Sequence, residues 1–145
     1  MESFTPTQNA QAADPLQAQQ HSGKPGRVLV IEDEESLREV IEVLVTIEGC
    51  EVKSAADGAQ ALDILRDWQP DLILLDLYMP GMSGREFVQS YRSGTGPLAP
   101  IIVLSGTSES PRDLEEMGCA GWIAKPFNVD DLLAVVAQYA DCEQP

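Results

Sequence analysis

The sequence predicts an α/β fold built on a doubly wound parallel sheet with helices on both faces. Between residues 27 and 140, segments typical of strands alternate five times with segments typical of helices. The segment at 72–75 is a continuous apolar run, as expected for a strand that is buried on both faces. The connecting segments are short, which favours right-handed crossovers within one sheet.

The first half of the chain contains two of these strand–helix units. A β-branched run at residues 27–32 predicts the first strand, and apolar positions within 37–45 then follow helical spacing until Gly49 ends the helix. A weaker strand is predicted at 51–55. A helix between residues 57 and 69 follows, because a capping pattern opens it and a proline comes directly after it.

The third unit carries the most informative residue. The apolar run at 72–75 ends in a carboxylate, Asp76, and residues 79–81 (Met-Pro-Gly) break the chain into a loop. Ser83, with Glu86 three residues later, matches a capping box and predicts a helix to about residue 91. Asp76 is therefore expected at the carboxyl end of a central strand, the edge at which open α/β sheets bind ligands. The alternative is a residue that only stops the strand.

Two further units complete the chain. Strands are predicted at residues 100–105 and 121–125, with a short helix at 111–117 between them. Asn128 is expected to cap a last helix whose apolar residues share one face as far as Ala140. Five such units, and thus five helices, favour the flavodoxin-like strand order 2-1-3-4-5, which places strands 1 and 3 side by side at the switch point.

Composition and charge restrict the function classes. The net charge of −15 disfavours a basic surface for nucleic acid or anionic lipid, and no apolar stretch approaches the ~20 residues of a membrane helix. We therefore expect neither nucleic acid nor membrane as a partner. The scattered cysteines, Cys50, Cys119 and Cys142, indicate neither a metal site nor a disulfide, and so favour the cytoplasm.

The chain is expected to form one folded domain at residues 27–140. Residues 1–26 are rich in Gln, Ala, Pro and Ser without apolar periodicity, so we predict a disordered N-terminal tail. Residues 141–145 are predicted to be a C-terminal tail. The only histidine, His21, lies in the first tail, which leaves little basis for a histidine-based metal site or catalytic triad.

Four of the five predicted strands end in groups that suit one chemistry. They are Glu32 and Asp33 after the first strand, Asp76 after the third, Ser105 after the fourth and Lys125 after the fifth. Each alone has an ordinary explanation as a cap or a surface charge. Together, carboxylates that hold a hard cation such as Mg²⁺, a hydroxyl and an ammonium group suit phosphoryl transfer to an aspartate.

Four motifs, in this order and spacing, resemble those of the response-regulator receiver domains of two-component signalling. The resemblance extends over residues 27–140. The motifs are Val28–Asp33, Pro70–Gly84, Val103–Gly106 and Gly118–Phe127. The resemblance implies that Asp76 accepts a phosphoryl group from a phosphohistidine on a sensor histidine kinase or a histidine phosphotransfer protein, and that the domain then signals to a downstream protein target.

The resemblance also implies roles for the neighbouring residues. Glu32, Asp33, Asp76 and the backbone carbonyl of Tyr78 would bind Mg²⁺. The chain would be a signalling phosphoprotein, catalysing only its own phosphorylation and dephosphorylation. Glu32 departs from the family, which most often has Asp at this position.

Three further positions are implied in phosphoryl binding and switching. Ser105, where the family more often has Thr, would turn toward the phosphoryl group, and Lys125 would pair with it. Trp122 stands where the family usually has Tyr or Phe, the aromatic residue that swings inward on activation.

Other classes of protein remain open at this stage. A haloacid-dehalogenase-like phosphatase also uses a strand-end aspartate, but it needs a second Asp two residues later, where this chain has Tyr78. A pseudo-receiver would keep the fold and never be phosphorylated. Neither glycine-rich fingerprint of a Rossmann or P-loop nucleotide site follows the first strand.

Overall fold

The structure, a computed structural model, describes residues 25–79, 81–94, 96–105 and 111–142. Five strands alternate with five helices in this part of the chain. They are β1 (Arg27–Ile31), α1 (Glu35–Ile47), β2 (Glu51–Ala55), α2 (Gly58–Ile64), β3 (Leu72–Asp76), α3 (Gly84–Arg92), β4 (Ile101–Ser105), α4 (Pro111–Glu116), β5 (Gly121–Ala124) and α5 (Val129–Ala140). The tails predicted at 1–26 and 141–145, and His21, lie largely outside the described residues.

The strands form one parallel sheet in the order β2-β1-β3-β4-β5, which confirms the predicted topology. Strands β1 and β5 each end one residue earlier than expected. Glu32 and Lys125 therefore lie in the loops that follow these strands. Both side chains still project from the carboxyl edge of the sheet, where the predicted site was expected.

Capping side chains start α2 and α3 where the sequence predicted. Ser83 accepts a hydrogen bond from the backbone of Glu86, and the Glu86 carboxylate accepts one from the backbone of Ser83, so the capping box is complete. Asp57 caps α2 through the backbone N–H of Gln60. Because each cap satisfies donors that helix starts leave unpaired, each one fixes the exit of a β–α loop.

The apolar core has two halves, one on each face of the sheet. Alternate residues of β1 point to opposite faces: Leu29 and Ile31 pack with Phe87 in one half, whereas Val28 and Val30 pack with Leu132 in the other. All four residues of β3 before Asp76 are fully buried. The sheet is thus covered on both sides, and only its edges reach solvent.

The structure corrects the expectation about the cysteines. Cys50 and Cys142 form a disulfide, although 92 residues separate them, so the expectation of no disulfide is wrong. Sequence spacing could not reveal this pair, because only the folded sheet brings the end of α1 next to the end of α5. Among the described residues, no helix combines the length and the apolar character needed to cross a bilayer.

Candidate functional site

The site lies at the carboxyl edge of the sheet, between β1 and β3. Ile31 is paired with Leu75, so the residues that follow each of them, Glu32 and Asp76, are neighbours. Lys125 reaches the same place from the end of β5. Residues that stand far apart in the sequence therefore converge because parallel strands all end at this edge.

Asp76 is the last residue of β3 and is 6% exposed. One of its carboxylate oxygens, Oδ1, accepts a hydrogen bond of 3.1 Å from the backbone N–H of Tyr78. The other, Oδ2, lies 3.6 Å from the ammonium nitrogen of Lys125. The carboxylate is thus held by one backbone donor and faces one cation.

Glu32 is the most deeply buried acidic residue of the site, with 1% of its surface exposed. Its Oε1 accepts a hydrogen bond of 2.9 Å from Lys125, and its Oε2 accepts one of 3.2 Å from the backbone N–H of Glu34. Arg38, from the first turns of α1, donates a hydrogen bond of 2.9 Å to the backbone carbonyl of Glu32. Both the side chain and the backbone of Glu32 are therefore fixed.

The donor set suits a hard divalent cation. Glu32, Asp33 and Asp76 each offer a carboxylate oxygen, and these three atoms lie within 4.8 Å of one another. Asp33 is exposed, so the group opens to solvent. Oxygen ligands from carboxylates, completed by water and phosphate, are those that Mg²⁺ prefers. The residues present thus fit the expected ion, with Asp33 at the entrance.

The electrostatics of the site affect Asp76 most. Burial is the main cause that raises the pKa of Asp76 to about 6, and the charge of Glu32 adds to it. The Tyr78 N–H and the charge of Lys125 act in the opposite direction. Burial disfavours the charged form of Lys125 and acts to lower its pKa. The hydrogen bonds to Glu32 and Asp76 and the negative charges of these residues outweigh burial, so the pKa of Lys125 is raised. The ammonium group is therefore firmly protonated.

Of the remaining predicted site residues, Ser105 and Tyr78 lie at this edge of the sheet, whereas Trp122 lies within β5. Ser105 ends β4, one position beyond the residue that pairs with Asp76, and its side chain lies outside the described part of the structure. Tyr78 is next to Asp76, with its ring half exposed. Trp122, in β5, is 50% exposed and points away from the core, whereas the next residue, Ile123, is buried.

Two residues that support the site were missed in the sequence. Arg38 holds the loop after β1, and nothing in its helical position distinguishes it from a surface charge. Gly84 begins α3, where an added Cβ would lie 2.6 Å from the Cα of Leu77 and 2.8 Å from the carbonyl oxygen of Asp76. The helix can therefore approach the loop after β3 only with glycine there. The glycine after the capping serine was the available signal.

The fold and the site together define an α/β domain with an acidic pocket that suits a hard cation, beside a lysine at the end of the sheet. The sequence model of the family described as "Response regulator receiver domain" matches residues 28–137. The chain therefore belongs to the response regulator receiver family, a family of signalling proteins in two-component systems.

Curated relatives agree with this assignment. The chain is 36% identical over 112 residues to the DNA-binding response regulator MtrA of Mycolicibacterium paratuberculosis, a match that covers 76% of this chain and 49% of the relative. It is 38% identical over 109 residues to the probable transcriptional regulator ycf27 of Porphyridium aerugineum, covering 74% and 45%. The chain thus spans about half the length of these relatives.

Solved structures share the fold along nearly their whole length. The chemotaxis response regulator CheY4 of Vibrio cholerae superimposes with a TM-score of 0.73 at 31% identity, covering 79% of this chain and 98% of that one. The response regulator TrrA of Thermotoga maritima, solved in complex with Mg²⁺ and BeF, has a TM-score of 0.69 at 34% identity, covering 78% and 97%. A receiver related to this chain thus holds the metal expected here.

The names of two relatives bear on the expectation that nucleic acid is not a partner. MtrA is named a DNA-binding protein and ycf27 a probable transcriptional regulator. The expectation that this chain has no nucleic-acid partner therefore has no support from its relatives. That expectation rested on the net charge of this chain alone, which describes the matched half and not the remaining length of those proteins.

Proposed function

We propose that this chain is an active phosphoacceptor in which Asp76 receives a phosphoryl group from a phosphohistidine in an Mg²⁺-dependent reaction. The observation that carries the proposal is the position of Asp76, buried at the end of β3 beside Lys125 and the carboxylates of Glu32 and Asp33. A carboxylate in this setting is a known type of covalent acceptor.

The chemistry follows from the groups around Asp76. A carboxylate oxygen of Asp76 forms a bond to phosphorus while the bond from phosphorus to the histidine nitrogen breaks. The imidazole nitrogen keeps the electron pair of the broken bond and takes up a proton. Only the ionised carboxylate is nucleophilic. Burial raises the pKa of Asp76 to about 6 in the metal-free pocket, and Mg²⁺ bound to this carboxylate would favour its ionised form.

The neighbours of Asp76 supply charge and position. Mg²⁺, held by Glu32, Asp33, Asp76 and the carbonyl of Tyr78, would offset negative charge on the transferred group. Lys125, whose ammonium nitrogen is 3.6 Å from Asp76, is placed to pair with a phosphoryl oxygen. Positioning and charge stabilisation of this kind account for most of the catalysis in phosphoryl transfer.

The same proposal covers the roles of Ser105, Trp122 and the partners. Ser105 contacts the phosphoryl group after transfer, and the change extends to Trp122 on the outer face of β5.

The donor is a sensor histidine kinase or a histidine phosphotransfer protein, and the output is a contact with a downstream protein target. We place this activity in the cytoplasm, where response regulators generally act, and we assign no chemistry on other substrates.

The test is phosphorylation of the full chain by acetyl phosphate with Mg²⁺, read by intact mass and by sensitivity of the adduct to hydroxylamine. The wild type and Asp67→Asn, an exposed aspartate distant from the pocket in the fold, should gain one phosphoryl group. Asp76→Asn should gain none. Undiminished labelling of Asp76→Asn would refute the assignment of the acceptor.

Two alternative functions predict different experimental results. A pseudo-receiver would leave the wild type unlabelled by acetyl phosphate and by phosphorylated donor proteins. A haloacid-dehalogenase-like phosphatase would turn over a generic phosphate ester such as p-nitrophenyl phosphate. We expect none, because Tyr78 stands where that chemistry needs an acidic side chain.

A further inference from the structure

The cysteine pair lies apart from the phosphoacceptor pocket, at the opposite edge of the sheet. Cys50 directly precedes β2 and is buried, whereas Cys142 follows α5 and is partly buried. Their Cα atoms are 4.8 Å apart, within the range that disulfides require. The bond therefore connects the amino end of an edge strand to the end of the last helix.

Each cysteine directly follows a residue in the left-handed conformation that ends a helix. After α1 this residue is Gly49, with φ +93°, a conformation that glycine adopts without a side-chain clash. After α5 it is Asp141, with φ +52° and ψ +53°. Aspartate adopts this conformation more readily than most residues with a side chain, but less readily than glycine, so the turn at Cys142 is less favourable than the turn at Cys50.

The charge distribution at the end of α5 also makes this end of the helix less stable. The last turn of the helix has no basic residue, and the capping residue Asp141 is acidic. Negative charge at the carboxyl end of a helix is unfavourable, because the unpaired carbonyl groups there are already partially negative. Contacts beyond the helix therefore contribute to holding the last turn of α5 in place.

Those contacts gather three segments at one point. Gly26, at the entry to β1, packs so closely on the backbone of Ala140 that an added Cβ would collide with the carbonyl oxygen of Ala140. The carbonyl of Gly26 in turn accepts a hydrogen bond of 2.8 Å from the backbone N–H of Glu51. Cys50 is adjacent to Glu51 in the chain, so the Cys50–Cys142 bond links the start of β2 covalently to the end of α5.

We propose that Cys50 and Cys142 form a reversible redox site that fastens the end of α5 to β1 and β2 when oxidised and releases it when reduced. The site takes low-molecular-weight thiols and disulfides as its reactants. It is independent of phosphorylation, since Asp76 lies at the other edge of the sheet.

The exchange reaction proceeds through Cys142, the more accessible partner. A thiolate attacks the Cys142 sulfur and forms a mixed disulfide, while Cys50 leaves with the electron pair and takes up a proton. A second thiol then attacks the sulfur of the small molecule and frees Cys142. In sum, two small thiols become one small disulfide, and the protein disulfide becomes two thiols.

The third cysteine does not compete for this bond. Cys119 packs against the half of the core that contains Phe87, whereas Cys50 and Cys142 belong to the half on the other face of the sheet. Burial raises the pKa of the Cys119 thiol, which makes the reactive thiolate scarcer. Cys119 therefore serves as an internal control.

The first experiment counts thiols in the full chain after equilibration with oxidised glutathione or with dithiothreitol. After acid quenching and alkylation in denaturant, intact mass should show one alkylated cysteine in the oxidised sample and three in the reduced sample. Peptide mapping should join the peptides that contain Cys50 and Cys142. Three alkylated cysteines after oxidation, or a stable glutathione adduct on Cys142, would overturn the proposal.

The second experiment measures the effect on the fold by amide hydrogen exchange. Reduction should speed exchange at residues 137–142 by about tenfold or more and leave β1 unchanged, since only the helix end loses its anchor. Cys142→Ser should match the reduced wild type in both buffers, and Cys119→Ser should keep the full redox response. Equal exchange in both buffers, or a response that survives in Cys142→Ser, would disprove the link to α5.

Discussion

The ammonium nitrogen of Lys125 lies 2.9 Å from a carboxylate oxygen of Glu32, closer than the 3.6 Å that separates it from Asp76. This contact joins the loop after β5 to the loop after β1. The glutamate side chain is one methylene longer than the aspartate that the family more often carries. Lys125 is therefore already engaged before any phosphoryl group arrives, and pairing with that group requires it to exchange partners.

Removing the charge of Glu32 should lower the pKa of Asp76. In Glu32→Gln the negative charge that opposes ionisation of Asp76 is lost, and Lys125 can turn toward Asp76. The pKa should fall below about 6 but stay above the ordinary value of 3.8, because burial, its largest cause, remains. A ¹³C NMR titration of the Asp76 carboxyl group measures it. Glu34→Gln, in the same loop, is the control, and an unchanged pKa in Glu32→Gln would contradict this account.

Replacing Asp76 by asparagine should stabilise the metal-free protein at neutral pH. The folded pKa of about 6 exceeds the ordinary 3.8, so between these values the folded state binds more protons than the unfolded state. The free energy of unfolding therefore falls as the pH rises from 3.8 to about 6, and the loss is complete above about pH 6. Asp76→Asn should gain about 1–3 kcal/mol at pH 7.5 and almost nothing near pH 4. Urea unfolding with a chelator tests this; a gain of equal size at both pH values would refute it.

Mg²⁺ should raise the melting temperature through the carboxylate group of Glu32, Asp33 and Asp76. An ion that binds only the folded state stabilises it by mass action, and at tenfold excess over the dissociation constant the rise should be roughly 5 °C. Asp33→Ala should reduce the shift, whereas Glu39→Ala, which removes the same charge from the exposed surface of α1, should not. Equal shifts in all three proteins would place the ion elsewhere.

Much of this architecture was predictable because the signals are local. Buried strands appear as apolar runs, capping pairs such as Ser83 and Glu86 mark helix starts, and a parallel sheet gathers its strand ends at one edge. The positions of Asp76 and Lys125 followed from these rules. The order of the strands needed the additional knowledge that five units favour one arrangement.

The remainder depends on distances that no spacing rule contains. The choice of Glu32 over Asp76 as the nearest partner of Lys125 is decided by side-chain length and by tenths of an ångström. Arg38 bonds a backbone carbonyl, a partner that has no sequence signature. The Cys50–Cys142 pair joins two helix ends that only the finished fold brings together.

The last prediction concerns Trp122, which lies half exposed on β5, three residues before Lys125. Val103 pairs with it on β4, so movement at the end of β4 would reach the indole directly. Interiors are close packed, and an indole is larger than a phenol ring, so an inward position of Trp122 would be sterically costly. We therefore expect two indole positions whose balance a phosphoryl group shifts without completing the change.

Fluorescence of a protein with one tryptophan can detect this shift. In Trp68→Phe, beryllofluoride with Mg²⁺ should change the emission of Trp122 or its access to a quencher, and Mg²⁺ alone should not. The matched control is Trp122→Phe, which keeps only Trp68. That indole is buried between Arg27 and Lys53 and bonded to Glu51, so its emission should stay constant. If Mg²⁺ alone produces the whole change in Trp68→Phe, the indole reports metal binding, and the switch at Trp122 is refuted.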